Sequence, residues 1–284
     1  MKRIFLLNLL LGFTLAMIAQ DLNVMSFNIR LNIASDSLNA WPYRKDYVAS
    51  QVLFHEIHIL GVQEALHDQM LDLKSRLNKF SYAGGGRDDG KTKGEYSAIF
   101  YDTSRLQLLG TQTFWLSLTP EIPGSKSWDA AITRIVTWSR FKDRKTKMSF
   151  YVFNTHFDHM GQTARKESAG LLKNKVAEIA GQNPVIIMGD FNAPPTEESI
   201  KRLVDKSDHF QFTDTKELSE TPHYGPTGTF NGFGNKEKND QPIDYIFTRG
   251  EKWKVRKHAT ISQTWGGRFA SDHFAVMAVM GFRK

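Results

Sequence analysis

Along most of this chain, apolar and polar residues alternate with a period of two. The pattern marks residues 22–31 (LNVMSFNIRL), 96–101 (YSAIFY), 106–116 (LQLLGTQTFWL), 131–141 (AITRIVTWSRF), 148–157 (MSFYVFNTHF), 184–188 (PVIIM), 242–247 (PIDYIF), 252–261 (KWKVRKHATI) and 274–280 (FAVMAVM). Side chains two apart lie on one face of an extended backbone, so each of these segments predicts a strand. Apolar residues at three- and four-residue spacing predict helices only over residues 43–57, 68–77, 163–179 and 197–203. Turn residues, rather than helices, flank most of the strands. That predicts two packed sheets with a few helices outside them, not a doubly wound parallel sheet. Two glycine-rich loops, 84–94 and 224–242, punctuate the pattern, and the second is long enough to suggest a functional role.

Polar residues that break the strand pattern carry the chemical information. Asn28 lies inside VMSFNIR, Glu64 follows the short apolar run ILGVQ, and His156 and Asp158 close FYVFNTHFDH. Asp190 and Asn192 close VIIMGDFN, Asp244 lies in PIDYIF, and Asp272 and His273 immediately precede FAVMAV. Singly, each has a plainer reading: an Asp or Asn at a strand end is a turn residue, a lone His packs in a core, a Glu is solvated. As a set they are carboxylate and amide oxygens with no cysteine, a donor group suited to a hard divalent cation such as Mg2+ or Mn2+. Two histidines with acids available as partners suit proton transfer and the stabilisation of developing charge. Together they describe metal-assisted attack of water on a phosphoester.

Composition refines this picture at two points. Met1-Lys2-Arg3 leads into the apolar run IFLLNLLLGFTLAMIA, which predicts a signal peptide over residues 1–19 and one catalytic domain over 20–284. The alternative, a membrane anchor, wants about 18 uninterrupted apolar residues, and Asn8, Gly12 and Thr14 interrupt the run. The expected location is therefore periplasmic or secreted. The absence of cysteine excludes disulfides, thiolate catalysis and lipid attachment through a cysteine. The formal charge is +7, and loss of Lys2 and Arg3 leaves 35 basic against 30 acidic residues, or +5. That is a mild lean toward anionic partners. Nothing in the pattern implies a coiled coil or a swapped arm, so a monomer without a stable protein partner is expected.

SFNIR, GVQE, NTHFDH, GDFN, IDYIF and SDH, in this order, resemble the motifs of the endonuclease/exonuclease/phosphatase superfamily. Its members include deoxyribonucleases, abasic-site endonucleases, inositol-polyphosphate 5-phosphatases, neutral sphingomyelinases and poly(A) deadenylases. The resemblance runs from about Asn23 to Phe282. It implies a four-layer α/β/β/α sandwich of the α+β class, with two mainly antiparallel sheets between helices. It implies metal binding by Asn28 and Glu64, with Asp272 approaching the metal through water. Asp190 would orient or deprotonate the attacking water, Asn192 and His273 would contact the phosphate, and Asp244 would hold the His273 ring. His156 would serve the phosphate or the leaving group, oriented by Glu95. Arg134 resembles a phosphate-contacting arginine, and Asp158 falls among the substrate-binding candidates.

The substrate is less legible. Tyr245 stands where 5-phosphatases carry an arginine, and Gln241-Pro242-Ile243 lacks the tryptophan-arginine lead of abasic-site enzymes. GDFNAPP and IDYIF lean toward the deadenylase and sphingomyelinase side, while a signal peptide argues against cytoplasmic mRNA. A phosphodiesterase or nuclease leads, ahead of a phospholipid- or phosphosugar-directed phosphatase and an exported phospho-ligand-binding protein without catalysis. Lys252, Lys254, Arg256 and His258 share one face of a strand and, with FKDRKTK (141–147), either track a polyanion or form a solvated face and hairpin. Trp41, Trp128, Phe230, Phe233 and Trp265 either wall a substrate pocket or pack.

Overall fold

A computed structural model describes residues 21–234 and 240–283; the expected signal peptide lies outside them. The strands are β1 (Leu22–Asn28), β2 (Ile59–Ala65), β3 (Phe80–Ala83), β4 (Tyr96–Asp102), β5 (Leu106–Trp115), β6 (Ile135–Asp143) and β7 (Ser149–His156). They continue with β8 (Val185–Asp190), β9 (Thr213–Asp214), β10 (Asp244–Arg249), β11 (Trp253–Ile261), β12 (Thr264–Trp265), β13 (Arg268–Phe269) and β14 (Ala275–Phe282). The helices are α1 (Trp41–Phe54), α2 (His67–Arg76), α3 (Gln162–Ala180), α4 (Glu198–Val204) and the short α5 (Thr215–Leu218). One six-stranded sheet runs β11-β14-β1-β2-β4-β3, the other β5-β6-β7-β8-β10-β9. Pairing is antiparallel except at β1–β2 and β7–β8. Among the described residues, no helix is long and apolar enough to cross a membrane.

The two-residue period explains why four layers form. On β1, Met25 and Phe27 face α1 and α2, while Leu22 and Val24 face the other sheet. On β8, Val185 and Ile187 face α3 and α4, while Ile186 and Met188 join the inter-sheet layer. Three apolar cores result, one between the sheets and one beneath each helical layer. The sandwich expected from the resemblance is the one found, with the two parallel pairs making each sheet mixed.

Two boundaries shifted for local reasons. β1 stops at Asn28 rather than residue 31, because Arg30 adopts a left-handed backbone (φ 55°) and turns the chain. β6 starts at Ile135 rather than 131, because the backbone N–H groups of Ala131 and Ile132 donate to Asp158 Oδ2 (3.1 and 3.2 Å) instead of to a strand.

A polar tie crosses the two sheets halfway along. Asn154 of β7 donates through Nδ2 to the carbonyls of Val62 (2.9 Å) on β2 and Ala98 (2.8 Å) on β4. Its Oδ1 accepts from Gln63 Nε2 (2.7 Å), which also reaches Ser26 Oγ (3.3 Å). Gly61 leaves room for this tie: a Cβ there would sit 2.7 Å from Asn154 Oδ1. His156 lies two residues beyond Asn154 on the same face, and Asn28 two beyond Ser26.

Candidate active site

The inter-sheet faces change character at one end. Toward it, β1 runs Leu22, Val24, Ser26, Asn28; β7 runs Phe150, Val152, Asn154, His156; β8 runs Ile186, Met188, Asp190. Register completes the group. In the order β7-β8-β10, Asp190 stands between His156 and Asp244. Asn28, His156, Asp190, Asp244, Asp272 and His273 are all buried there.

Asp190 is the hub. Its Oδ2 accepts from Asn28 Nδ2 at 2.9 Å and lies 3.4 Å from His156 Nε2 and 3.7 Å from His273 Nε2. Its Oδ1 accepts from the backbone N–H of Asn192 (2.9 Å), which a left-handed φ of 49° turns inward. Burial, reinforced by Asp244 and opposed by His273, raises the Asp190 pKa well above the usual carboxylate range. His273 donates from Nδ1 to Asp244 Oδ2 at 2.9 Å. Burial works against a charge on this ring, yet Asp244 and Asp190 outweigh it and hold the His273 pKa well above the usual imidazole value. His156 goes the other way: burial and then Arg134 and His273 push its pKa well below normal, keeping it neutral. The Asn192 amide donates to Phe157 O (3.0 Å) and reaches His156 Nε2 (3.0 Å), so that nitrogen is an acceptor. One imidazolium and one neutral imidazole thus flank a carboxylate able to take a proton.

The loop 224–234 supports this group. Thr229 Oγ1 accepts from the N–H groups of Ile243 and Asp244 (3.1 Å each), Asn231 N–H donates to Asp272 O (2.8 Å), and the Phe230 ring packs edge-on to His273 at 5.0 Å. Trp41 and Trp265 pack instead: Trp41 Nε1 donates to Asp72 (2.9 Å), and Trp265 stacks on Tyr47 at 4.8 Å.

A second carboxylate group adjoins the hub. Glu64 sits at a bulge in β2 with a left-handed backbone (φ 62°), an arrangement that turns its side chain out of the strand pattern. Its Oε1 accepts from Asn28 Nδ2 (3.0 Å) and its Oε2 from Leu31 N–H (3.2 Å). Asp272 is raised in pKa by burial and then by Glu64, with His273 and Arg30 opposing. Asn28 turns its amide nitrogen to Glu64 and Asp190, and its oxygen accepts from Arg30 N–H (3.0 Å). Oxygen donors without thiolate fit a hard divalent ion. Asp190, Asp244 and His273 also place one ligand atom each within 4.8 Å of one another. There the His273 ring already faces a carboxylate from each nitrogen, so it acts as the cation of that group. The partly exposed Glu64 and the buried Asp272 carry further oxygen donors that could hold such an ion.

Three further expected residues need redescription. Glu95 does not orient His156: its Oε2 accepts from Arg87 Nη1 at 2.6 Å, because a half-buried acid pairs with the nearest guanidinium. Asp158 reaches no substrate position: both its oxygens are consumed by the N–H groups of Ala131, Ile132, Met160 and Gly161. Arg134 is buried with Nε and Nη1 free of hydrogen bonds; Nη2 bonds His159 Nδ1 (3.2 Å), and Nε lies 3.8 Å from Asp158 Oδ2. It lines a water-sized space of about 10 Å3 with Arg87, Glu95, Ser97 and His156.

The suspected polyanion track on β11 is largely spent. Lys254 pairs with Glu220 (2.7 Å), Arg256 with Asp21 (2.8 Å), and His258 is buried.

The sequence model of the endonuclease/exonuclease/phosphatase family matches residues 25–273. The chain belongs to this family. A family structure from Bacteroides vulgatus shares 36% identity, covering 93% of this chain and 99% of that one, with a TM-score of 0.88. A mannosyl-6-phosphatase from Bacteroides thetaiotaomicron shares 38% identity, covering 92% of this chain and all of that one, with a TM-score of 0.87. Protein angel of Drosophila melanogaster is 24% identical over 92% of this chain and 78% of that protein.

Within the endonuclease/exonuclease/phosphatase fold, sequence reasoning missed Arg87, Arg30 and Asn154. Arg87 sits in the glycine-rich loop 84–94, where the glycines drew attention and the arginine did not. Asn154 is a polar residue on an apolar strand face, the same signal that singled out His156. Arg30 gave no signal until its neighbours were in place.

Proposed function

We propose that this chain is a divalent-metal-dependent phosphoric ester hydrolase, exported from the cell, whose substrate is a small phosphomonoester of the phosphosugar kind. The observation that carries the hydrolase reading is Asp190, with its raised pKa, held between the neutral His156 and the cationic His273. A carboxylate tuned upward by burial is suited to accept a proton from water. Asp190 orients the attacking water and takes its proton as the new P–O bond forms in line with the ester bond that breaks; the ester oxygen leaves with the bond pair and takes a proton from solvent. His273, as the cationic ring, stabilises the charge developing on the phosphoryl oxygens, while Asn192 holds the neutral His156 ring in place beside it. Glu64 and Asp272, with Asn28 alongside, would hold a Mg2+ or Mn2+ ion, which would supply Lewis-acid charge to the phosphoryl group. No covalent enzyme intermediate is required.

Two observations favour a small monoester over nucleic acid. On the basic face of β11, Lys254 and Arg256 are paired with Glu220 and Asp21, which leaves fewer free cations to track a polyanion. Arg134 Nε and Nη1, without hydrogen bonds and with Asp158 only at 3.8 Å, favour an anion beside His156, and a phosphomonoester dianion presents more charge than a diester. The 38% identity to a mannosyl-6-phosphatase supports the same choice. The N-terminal basic and apolar residues support export.

The test is turnover of the purified protein on mannose 6-phosphate, glucose 6-phosphate, inositol phosphates, sphingomyelin, bis-p-nitrophenyl phosphate, DNA and RNA, with Mg2+, Mn2+ or EDTA. Sugar monoester turnover well above every diester, abolished by EDTA, is expected. Dominant diester or nucleic acid cleavage returns the protein to the nuclease side of the family. Affinity without turnover on any substrate overturns catalysis itself.

A further inference from the structure

Arg30 is held more firmly than a surface arginine needs to be. Its left-handed backbone is pinned on both sides: the N–H donates to Asn28 Oδ1 (3.0 Å), and the carbonyl accepts from Gln69 Nε2 (2.9 Å) and Arg44 Nη2 (3.2 Å). Arg44 also donates to the carbonyls of Ile29 and Ala270 (2.8 Å each), so the turns carrying Arg30 and Asp272 are tied together. The Arg30 side chain is forked on Asp36, with Nε to Oδ2 at 3.0 Å and Nη2 to Oδ1 at 3.1 Å. From that anchor the guanidinium faces both proposed metal-holding acids, with Nη1 3.9 Å from Glu64 Oε2 and Nε 3.8 Å from Asp272 Oδ2.

These distances are ion-pair range but too long for hydrogen bonds. The arginine therefore compensates the two carboxylates without occupying their lone pairs, which stay open to an incoming ion. We propose that Arg30, set by Asp36, is a resident counter-cation of the Glu64–Asp272 pair that weakens divalent-ion binding and keeps the site exchangeable. The inference rests on the metal assignment made above. A fixed positive charge near the site repels the arriving ion, and Asp36 offsets part of that repulsion from the far side of the guanidinium.

The two residues should therefore act in opposite directions. Mn2+ binding to the full-length protein, measured by titration calorimetry and by the loss of the free-ion paramagnetic resonance signal, reads this directly. Arg30→Gln is expected to tighten Mn2+ about three- to tenfold. Asp36→Asn is expected to weaken it by a few-fold, and Arg30→Lys to stay close to the parent. A merely structural Arg30 would make Arg30→Gln and Asp36→Asn both bind more weakly, which overturns the proposal. Unchanged Mn2+ affinity with a raised KM would make Arg30 a substrate contact, and overturns it too. If Arg30→Gln does not fold, the direction of Asp36→Asn and the retention in Arg30→Lys decide. A parent protein that takes up no Mn2+ overturns the metal assignment together with this inference, whereas a binding parent with variants moving in one direction overturns this inference alone.

Discussion

The two ends of the inter-sheet layer are built on the same strands, on the same faces, and do opposite things. At one end Leu22, Phe141, Phe150, Trp253 and Met280 fill the space between the sheets with apolar volume. At the other, Asn28, His156, Asp190, Asp244, Asp272 and His273 fill it with charge and amide. Burying an apolar side chain contributes about 1.5–3 kcal/mol, whereas burying a carboxylate costs free energy unless it is paired. The apolar end therefore holds the sheets together and lets the polar end keep Asp190 in a state that destabilises it. The Ser26–Gln63–Asn154 tie separates the two regimes and fixes the spacing of the strands before they reach the site. Stability and chemistry are divided by position along a strand, not between domains or loops.

The sharpest way to break this comparison is at the hub. Asp190→Ala should lower kcat by about 10^3- to 10^4-fold while the thermal unfolding midpoint stays at or above the parent value, because a buried carboxylate has been removed. Retained turnover would end the proposed mechanism. The mirror-image variant is Phe150→Ala, which removes a ring packed against Phe141, Trp253 and Phe282. It should cost about 3–5 kcal/mol in urea unfolding yet change kcat by less than about twofold well below the transition. A large kcat loss there would show that the two ends are not separable.

Asn154→Ala probes the boundary. It leaves Gln63 Nε2 with only the longer contact to Ser26 Oγ and strands two carbonyls, so a loss of about 2 kcal/mol in stability is expected, with kcat down about tenfold and KM little changed. A stability loss with kcat intact would reduce the tie to packing. The smallest expected effect lies away from the site, at His258. Burial, then His223 and Lys216, lowers its pKa from 6.5 to about 3. The unfolded chain takes up a proton near pH 6.5 that the folded chain refuses, so stability is lost as pH falls below 6.5. The slope is about 1.4 kcal/mol per pH unit for this group. Urea unfolding between pH 6.5 and 5 should show a flatter slope in His258→Gln than in the parent, and parallel slopes would refute the burial of a neutral ring.

Much of this was legible because both alternation and motif order are local. VIIMGD announced β8 and its terminal acid without reference to anything else in the chain. β3 was not seen, because four residues are too few to show a period. Glu64 was singled out as the acid closing ILGVQ, but the bulge that turns its side chain is not written in GVQE. The acid expected to orient His156 was misplaced for a related reason. Glu95 had two cationic or imidazole neighbours within reach in space, and nothing in GEYSAIF says that Arg87 wins. The β11 basic face stayed open in the sequence for the same reason, its partners Asp21 and Glu220 being distant along the chain.

Gly189 bears on how mutational data from this protein should be read. Its backbone lies at φ 153°, and a Cβ there would fall 2.1 Å from the carbonyl oxygen of Thr155 on the neighbouring parallel strand. A saturation scan would therefore find positions 189 and 190 equally intolerant, one because the strands could no longer meet and the other because the reaction would stop. Only soluble yield tells them apart: loss of folded protein at 189, full recovery of inert protein at 190. Intolerance along GDFN is a compound signal, and the residue that makes the turn to the active site possible carries no chemistry of its own.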